Sequence, residues 1–211
     1  MARDVVHSEE VVDGVISALT GADDTLHTGG LPAGWFEDGY DGTEVPLKLL
    51  EHGDLSDYAA AEDITELLPC ILIRSMGPRP VGPGGDRGKE TTEEHVRIIH
   101  LRHWAQCRDD SGSRQANQTR ARTRYARIIH TALFRDPHKK LAVINAADER
   151  TEVTLTAEGG SARVFDVLWE GWDLGHELGS AYSIEDVARI RALNIPMWAI
   201  GCDIIVRIRT E

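Results

Sequence analysis

The segment 197–209 carries the most regular alternation of apolar and polar positions in the chain. Its even-numbered positions are all apolar, while the odd-numbered ones include Asp203, Arg207 and Arg209. A period of two is typical of a β-strand with one buried face. The segment 94–106 also alternates, but it is mostly apolar on both faces. We therefore predict two long strands in a sheet that is covered, at least in part, on each side.

Shorter apolar runs predict four more strands. The continuous run at 70–74 is typical of a central strand. A pair of glycines at 159 and 160 predicts a hairpin between the two strands that flank it. The four predicted strands lie at 70–74, 141–145, 152–157 and 161–172.

Apolar residues at helical spacing predict helices at 8–19 and 119–134, with a shorter helix at 183–193. Ser8 is suited to cap the first of them. The order of helices and strands contains no internal repeat. It predicts an α+β fold, in which a mainly antiparallel or mixed sheet is flanked by helices within a single domain over 1–211.

Residues 77–92 connect two predicted strands and show no apolar period. Three prolines and five glycines in this segment disfavour a fixed compact shape. The wider stretch 74–89 has four basic residues against Asp86, a balance of +3. Loops longer than about 12–15 residues are uncommon in compact domains unless they are functional or disordered. We predict a long, flexible hairpin tip that a neighbouring molecule orders, although a mobile surface tip is the plainer interpretation.

The net charge of −12 is distributed unevenly along the chain. Residues 1–70 hold 16 of the 35 acidic residues and two bases, a balance of −14, whereas residues 71–211 carry +2. Residues 21–66 are rich in Gly, Asp and Glu and have little periodicity, although 57–68 has a composition suited to a short helix. We predict that 21–66 is an acidic, irregular insertion or arm.

Hydropathy and cysteine content suggest a protein made in the cytosol without a membrane partner. No run approaches the roughly 18–20 apolar residues that span a bilayer, and residues 1–10 lack the apolar segment of a signal peptide. The three cysteines have no C-x-x-C spacing. Cys70 and Cys202 fall in apolar strand patterns, which predicts buried, reduced thiols.

Catalytic and cofactor motifs are incomplete in this sequence. The stretch 175–179 begins like a zinc-protease helix, but the second histidine is replaced by Ser180. His100 and His103 lie three apart in a predicted strand, so their side chains would point to opposite faces. We therefore predict no enzyme, no cofactor and no metal. A small metal-dependent hydrolase or nuclease that uses His100, His103 or Glu177 stays open as an alternative.

A second alternative is a nucleic-acid-binding module. Arg120, Arg124 and Arg127 crowd the polar side of the predicted helix at 119–134. The acidic first third of the chain would repel a phosphate backbone, so a subunit contact or a solvated face is the interpretation we favour.

The two longest predicted strands exceed the usual five or six residues. Thirteen residues at about 3.4 Å each reach roughly 44 Å, so we expect 94–106 and 197–209 to overhang a small sheet. Overhanging edges can pair with another chain. The pattern therefore favours assembly with identical copies.

In these features the chain resembles the tail terminator proteins of long-tailed bacteriophages, and related tail-completion and neck proteins. The resemblance is carried by the helices, by the hairpin with its extended tip, and by the closing strands. The segments are 8–19, 69–76 with 94–106, 119–134, 161–172 and 197–209. It implies a structural virion protein, assembled in the host cytoplasm, that forms a homohexameric ring. The ring would cap the tail tube, meet the head connector or stopper protein, and let DNA pass without sequence-specific binding.

The resemblance also implies a role for the hairpin tip. In such proteins the tip lies on the tube-facing or lumen side, so Arg79, Arg87 and Lys89 are the expected partner-binding residues. The insertion at 21–66 departs from the smaller members of the family. A head-completion or connector subunit, acting as stopper or adaptor, is the alternative within the same structural class.

Overall fold

The computed structural model describes residues 6–20, 49–53, 64–80, 91–103, 123, 127, 129–134, 140–144, 149–158, 160–173 and 197–210. Within these residues the chain forms one α-helix with defined ends, one short 3-10 helix and eight β-strands. They are α1 (Ser8–Thr20), β1 (Leu49–His52), the 3-10 helix Ile64–Leu67, β2 (Cys70–Pro80), β3 (Thr91–His103), β4 (Ala142–Ile144), β5 (Arg150–Glu152), β6 (Thr154–Ala157), β7 (Gly160–Asp173) and β8 (Met197–Thr210).

Six of these strands form one mixed sheet in the order β1-β2-β3-β8-β7-β6. β1 and β2 run parallel, and every other neighbouring pair in the sheet is antiparallel. β4 and β5 form a separate antiparallel pair. Together with the helical segments, this arrangement confirms the prediction of an α+β fold with a mixed, mainly antiparallel sheet.

Helix α1 packs on one side of the sheet, which we call the core face. Its valines at helical spacing form one apolar stripe, and Val12 and Val15 are fully buried. Burial of each such side chain contributes about 1.5–3 kcal/mol. Gly14 lies at the contact, where an added Cβ would come within 2.9 Å of Leu155 Cδ2. The missing side chain thus lets the helix approach β6 closely.

The central strands contribute the other half of this hydrophobic core. Alternate residues of each strand point toward α1, and they are fully or almost fully buried. These residues are Ile71, Ile73, Val96, Ile98, Val164, Val167, Cys202, Ile204, Val206 and Ile208. The alternation predicted for 197–209 is therefore confirmed over 202–208, where the structure describes the side chains.

A second helical segment covers part of the same core. Residues 123, 127 and 129–134 are helical, which agrees with the helix predicted at 119–134 over the part that the structure describes. Ile129, Ala132 and Leu133 belong to the predicted apolar stripe and are buried in the core.

The opposite face of the sheet is apolar near β1. Leu72 and Ile99 lie opposite each other in β2 and β3 and are fully buried, as is Leu101. Successive strand residues point to opposite faces, so Ile98 and Ile99 bury both faces at the same place. The prediction of a sheet covered in part on each side is confirmed.

The expectation that the long strands overhang a small sheet is wrong. β3 pairs with β8 along its whole length, from Thr91 opposite Arg209 to His103 opposite Met197. β7 is equally long and pairs with the other side of β8 as far as Asp173. Long strands lie beside long strands, so each satisfies the backbone groups of its neighbour.

The hairpin tip is shorter than the composition predicts. The β2–β3 ladder continues to Pro80, which lies opposite Thr92, so residues 77–80 and 91–92 belong to strands. Prolines 78 and 80 are tolerated there because β1 ends earlier and leaves this part of β2 without a described neighbour on that side. Residues 81–90 lie outside the described part of the chain.

The segment 21–66 is not irregular throughout. Its residues Leu49–His52 form β1, and the 3-10 helix begins at Ile64. A strand this short carries too few positions to reveal a period. The remaining residues of the segment, and the predicted helix at 183–193, lie outside the described residues.

The later hairpin follows the prediction, with one difference. β6 and β7 pair from Ala157 opposite Gly160, which confirms the hairpin expected at the glycine pair. The single strand predicted at 152–157 is instead two strands, separated at Val153. The Val153 N–H donates to the Leu141 carbonyl at 3.0 Å, and this contact turns the chain from one sheet to the other.

Candidate functional site

The sheet face opposite α1 becomes charged away from β1, and we call this part the charged face. Its side chains come from alternate positions of β3, β8 and β7, where Arg97 lies opposite Asp203, and Arg207 lies between Glu93 and Asp166. The residues are Glu93, His95, Arg97, Asp166, Glu170, Asp203 and Arg207.

Arg97 and Asp203 form the most specific contact on the charged face. They lie directly opposite each other on β3 and β8. Arg97 Nε donates to Oδ1 of Asp203, and Nη2 donates to Oδ2, each at 2.7 Å. Two parallel bonds of this kind fix orientation as well as charge, so the pair holds the two central strands in register.

Arg207 joins three strands of the charged face. Its Nε donates to Glu93 on β3 at 2.8 Å, and its Nη1 donates to Asp166 on β7 at 3.2 Å. The hydrogen bond to Glu93 is the main reason that the pKa of Arg207 is raised above its usual range. The guanidinium group thus spans β8 and its two neighbours.

A bulge in β2 shapes the border of the charged face. Met76 is the extra residue between Ser75 and Gly77, and Gly77 has a φ of 102° that suits glycine. The Gly77 N–H donates to Ser75 Oγ at 2.8 Å, and that hydroxyl donates to the buried carboxylate of Glu94. The bulge is therefore held in place by side-chain hydrogen bonds.

A cavity of about 340 Å³ lies beside this bulge, over β3, β8 and β7. His95 lines it and is 8% exposed. The His95 Nδ1 is 3.3 Å from Glu170 Oε2, a carboxylate that comes from a bulge in β7. Met76, Arg97 and Asp203 also line the cavity. The described residues thus build a concave, polar site on this face of the sheet.

Two strand segments of the sheet have no described neighbour on one side. β1 pairs with β2 only as far as Ile73, and β6 pairs with β7 only as far as Arg163. The β2 edge (74–80) and the β7 edge (164–173) are therefore free within the described residues. Because β1 and β6 cover diagonally opposite corners, the two free edges lie on opposite sides of the sheet.

The residues of the two free edges have opposite formal charge, although Asp166 and Glu170 also contact Arg207 and His95 of the same chain. The β2 edge contains Arg74 and Arg79 and no acidic residue. The β7 edge contains Asp166, Glu170 and Asp173 and no basic residue. The β2 edge is interrupted by the bulge at Met76, and the β7 edge by bulges at Phe165 and Glu170.

An aromatic cluster supports the β7 edge from the core face. His130 stacks on Phe134 with ring centroids 4.9 Å apart, and Trp169 meets His130 edge-on at 4.8 Å. Burial, and to a smaller extent the charge of Arg127, lowers the pKa of His130 below its usual value. The ring therefore packs as a neutral group, which fixes the second helical segment against β7.

The predicted partner-binding residues are only partly within the described chain. Arg79 lies in β2 opposite Glu93, on the free β2 edge. Arg87 and Lys89 lie outside the described residues, and so do Arg120, Arg124 and Glu177. Arg127 is exposed on the second helical segment.

The strand positions of His100 and His103 fall on opposite faces of the sheet, as the sequence predicts. The β3–β8 register is unbroken between positions 100 and 103, so no bulge turns these positions to one face. His100 is buried on the core face. Among the described residues, no group of three or more potential metal ligands is clustered.

The described cysteines behave as the sequence predicts. Cys70 and Cys202 are free and buried. Burial, with a smaller effect of Glu51, raises the pKa of Cys70 to about 12. Burial also raises the pKa of Cys202. Both thiols are therefore neutral near pH 7, and Cys107 lies outside the described residues.

In the part of the chain that the structure describes, no helix combines the length and the apolar character needed to cross a bilayer.

Comparison with known proteins gives no family. No protein-family model matches the sequence, and no curated protein matches it either.

Proposed function

We propose that this protein is a structural virion protein, a tail terminator whose ring caps the tail tube and joins it to the head connector. The observation that carries the proposal is the opposite charge of the two free edges of one sheet. Two different, complementary patches on opposite sides of a subunit are what a head-to-tail contact between identical copies requires. Such a contact closes into a ring when the rotation between neighbours divides a full turn.

In the proposed ring, the β2 edge of one subunit meets the β7 edge of the next. Arg74 and Arg79 then face the acidic segment 164–173 of the neighbour. The bulges at Met76, Phe165 and Glu170 restrict regular strand pairing across this contact to short runs. The prolines at 78 and 80 also offer no N–H to an added strand. The contact therefore relies on side-chain complementarity and does not provide a long, flat template for fibres.

The hairpin tip and the acidic insertion complete the proposal. Residues 81–90 connect β2 to β3 in the sequence. With Arg79 at the subunit contact, Arg87 and Lys89 would meet the end of the tail tube or the channel. Basic tips that face an acidic rim would steer docking electrostatically. The part of the insertion at 21–66 that lies outside β1 and the 3-10 helix would form a decoration or a collar contact on the outside. A closed ring leaves no repeating surface for more tube subunits, and this ends growth of the tube.

A charge-swap experiment tests the contact. One variant carries Arg74→Glu and Arg79→Glu, and the other carries Glu170→Lys and Asp173→Lys. Each variant alone places like charges at every contact, so we expect it to stay monomeric in size-exclusion chromatography with light scattering. An equimolar mixture restores opposite charges at every contact, and we expect rings to form again. Assembly of either variant alone at the wild-type concentration would contradict the proposed edges.

The function is tested separately in the virus that encodes the protein. Deletion of the gene should give overlong tails if the protein is a terminator. Normal tails that fail to join filled heads would instead assign it to the head-completion or connector class. Either class uses a ring, so this result does not depend on which edges form the contact.

A further inference from the structure

The two free edges of the sheet carry charged positions in the same two rows, where a row is a set of residues that lie opposite one another on neighbouring strands. One row runs from Arg79 on β2 through Glu93 and Arg207 to Asp166 on β7. It therefore starts at a basic position on the β2 edge and ends at an acidic residue on the β7 edge.

The second row has the same arrangement. It runs from Arg74 on β2 through Arg97 and Asp203 to Gly171 on β7, where Glu170 is the extra residue of a bulge. The carboxylate of Glu170 lies on the charged face, where it contacts a side chain of β3. This row also starts at a base on the β2 edge and ends beside an acid on the β7 edge.

The bulges produce this match. Arg74 and Arg79 are five residues apart, a spacing that would put them on opposite faces of a regular strand. The extra residue Met76 reduces the spacing to four rows, so the two positions fall on one face. On β7, the bulge places Glu170 three to four rows from Asp166. At about 3.4 Å a row, the charged positions on each edge are about 10–14 Å apart.

The two acids of the β7 edge can accept further hydrogen bonds. Asp166 Oδ2 accepts one from Arg207 at 3.2 Å, and Glu170 Oε2 is 3.3 Å from Nδ1 of His95. A carboxylate has about four acceptor positions, so one such contact leaves others open. The side chains of Asp166 and Glu170 are 23% and 39% exposed. A basic group from another molecule can therefore reach both of them.

We propose, on the basis of the ring contact proposed above, that identical copies meet in one register, in which the rows of the sheet continue from one subunit into the next. Position 79 then lies beside Asp166 of the neighbouring copy, and position 74 lies beside its Glu170. β2 and β7 run in opposite directions, so the rows follow the same order on both sides of the contact. A shift by two or four rows leaves at most one base beside an acid within the described residues. Opposite charges thus select the unshifted register.

Four double variants test this register, and each replaces one base by Glu and one acid by Lys. Two are same-row variants: Arg79→Glu with Asp166→Lys, and Arg74→Glu with Glu170→Lys. Two are crossed variants: Arg79→Glu with Glu170→Lys, and Arg74→Glu with Asp166→Lys. All four keep the net charge of the wild type. Each substitution occurs once in either set, so its effect on the folding of the single chain is matched.

The same-row variants keep opposite charges in both rows, whereas the crossed variants place like charges in both rows. Like charges that face each other at an interface oppose association. We expect the same-row variants to reach half-maximal ring assembly, measured by light scattering, at a concentration at least about tenfold lower. Tenfold corresponds to about 1.4 kcal/mol. The difference should shrink in about 1 M salt, which screens exposed charges.

The wild type separates the register from the proposed function. If the wild type forms rings and the crossed variants assemble as well as the same-row variants, or better, the register is wrong and the ring stands. A wild type that stays monomeric would contradict the ring and the register together. Urea unfolding shows whether each variant folds. If Asp166→Lys prevents folding, the two variants with Glu170→Lys make the same comparison by themselves.

Discussion

Two hydrogen bonds, each 2.7 Å long, join Arg97 and Asp203, which lie directly opposite each other on β3 and β8. The pair lies at the middle of the sheet and beside the cavity. It joins strands that are far apart in the sequence. The contact therefore fixes register between segments that no local signal could align.

A double-mutant cycle with Arg97→Ala and Asp203→Ala measures this contact. We expect a coupling free energy of about 1–2 kcal/mol in urea unfolding, because the two hydrogen bonds are charge-assisted and partly buried. The same cycle at His7 and Glu158, an exposed pair, serves as control and should give less. Equal coupling in the two cycles would contradict the central role of Arg97 and Asp203.

Substitution of two adjacent residues by alanine tests whether both faces of the sheet are covered. Ile98→Ala and Ile99→Ala should each lower the free energy of unfolding by about 2–5 kcal/mol, since both side chains are fully buried on opposite faces. Thr156→Ala, at an exposed position of β6, should change it by less than about 0.5 kcal/mol. If Ile99→Ala lowers the free energy of unfolding as little as Thr156→Ala does, the second face is open to water.

The buried thiols should be unreactive in the folded protein. A Cys107→Ser background leaves Cys70 and Cys202 as the reporters. Burial raises the pKa of both, to about 12 for Cys70, so the reactive thiolate is scarce at pH 8. We expect slow labelling by a disulfide reagent in native buffer and prompt labelling of both thiols in guanidinium chloride. Prompt labelling without denaturant would show that the strands carrying them open readily.

Glu152 should make stability depend on pH. Hydrogen bonds from Lys140 and Arg150 lower its pKa below the ordinary 4.5. A carboxyl group whose folded pKa is depressed contributes stability above its unfolded pKa and loses it as the pH falls through the folded value. Wild type should therefore exceed Glu152→Gln in stability at pH 7, and the difference should disappear in acid.

The control for this pH dependence is Glu158→Gln. Glu158 is exposed, and its partner among the described residues is the exposed His7, so its substitution should change stability little at either pH. A difference between wild type and Glu152→Gln that persists in strong acid would rule out the carboxylate as its source.

Much of the fold could be predicted because burial leaves a period in the sequence. Helix α1 and strand β8 each bury one face. Val12 and Val15 are therefore three residues apart, as in a helix, and Ile204 belongs to a strand pattern with a period of two. The hairpin at Gly160 could also be predicted from the sequence, because glycine pairs are typical of tight turns. β1 was missed because four residues show no period.

The candidate site was harder to predict because it depends on register and bulges. Asp203 and Arg207 were visible as charged positions on β8, but their partners follow from an alignment with β3 that the sequence does not encode locally. Glu170 reaches His95 only because a bulge shifts the β7 register. The overhang prediction failed for the same reason, since strand length alone does not reveal which strands become neighbours.

Electron microscopy of the purified wild-type protein, with its mass measured by light scattering, tests the central claim most directly. The account predicts closed rings of identical subunits, with a mass six times the 23.3 kDa of one chain. A protein that stays monomeric at every concentration, and never binds the end of a tail tube, would contradict it.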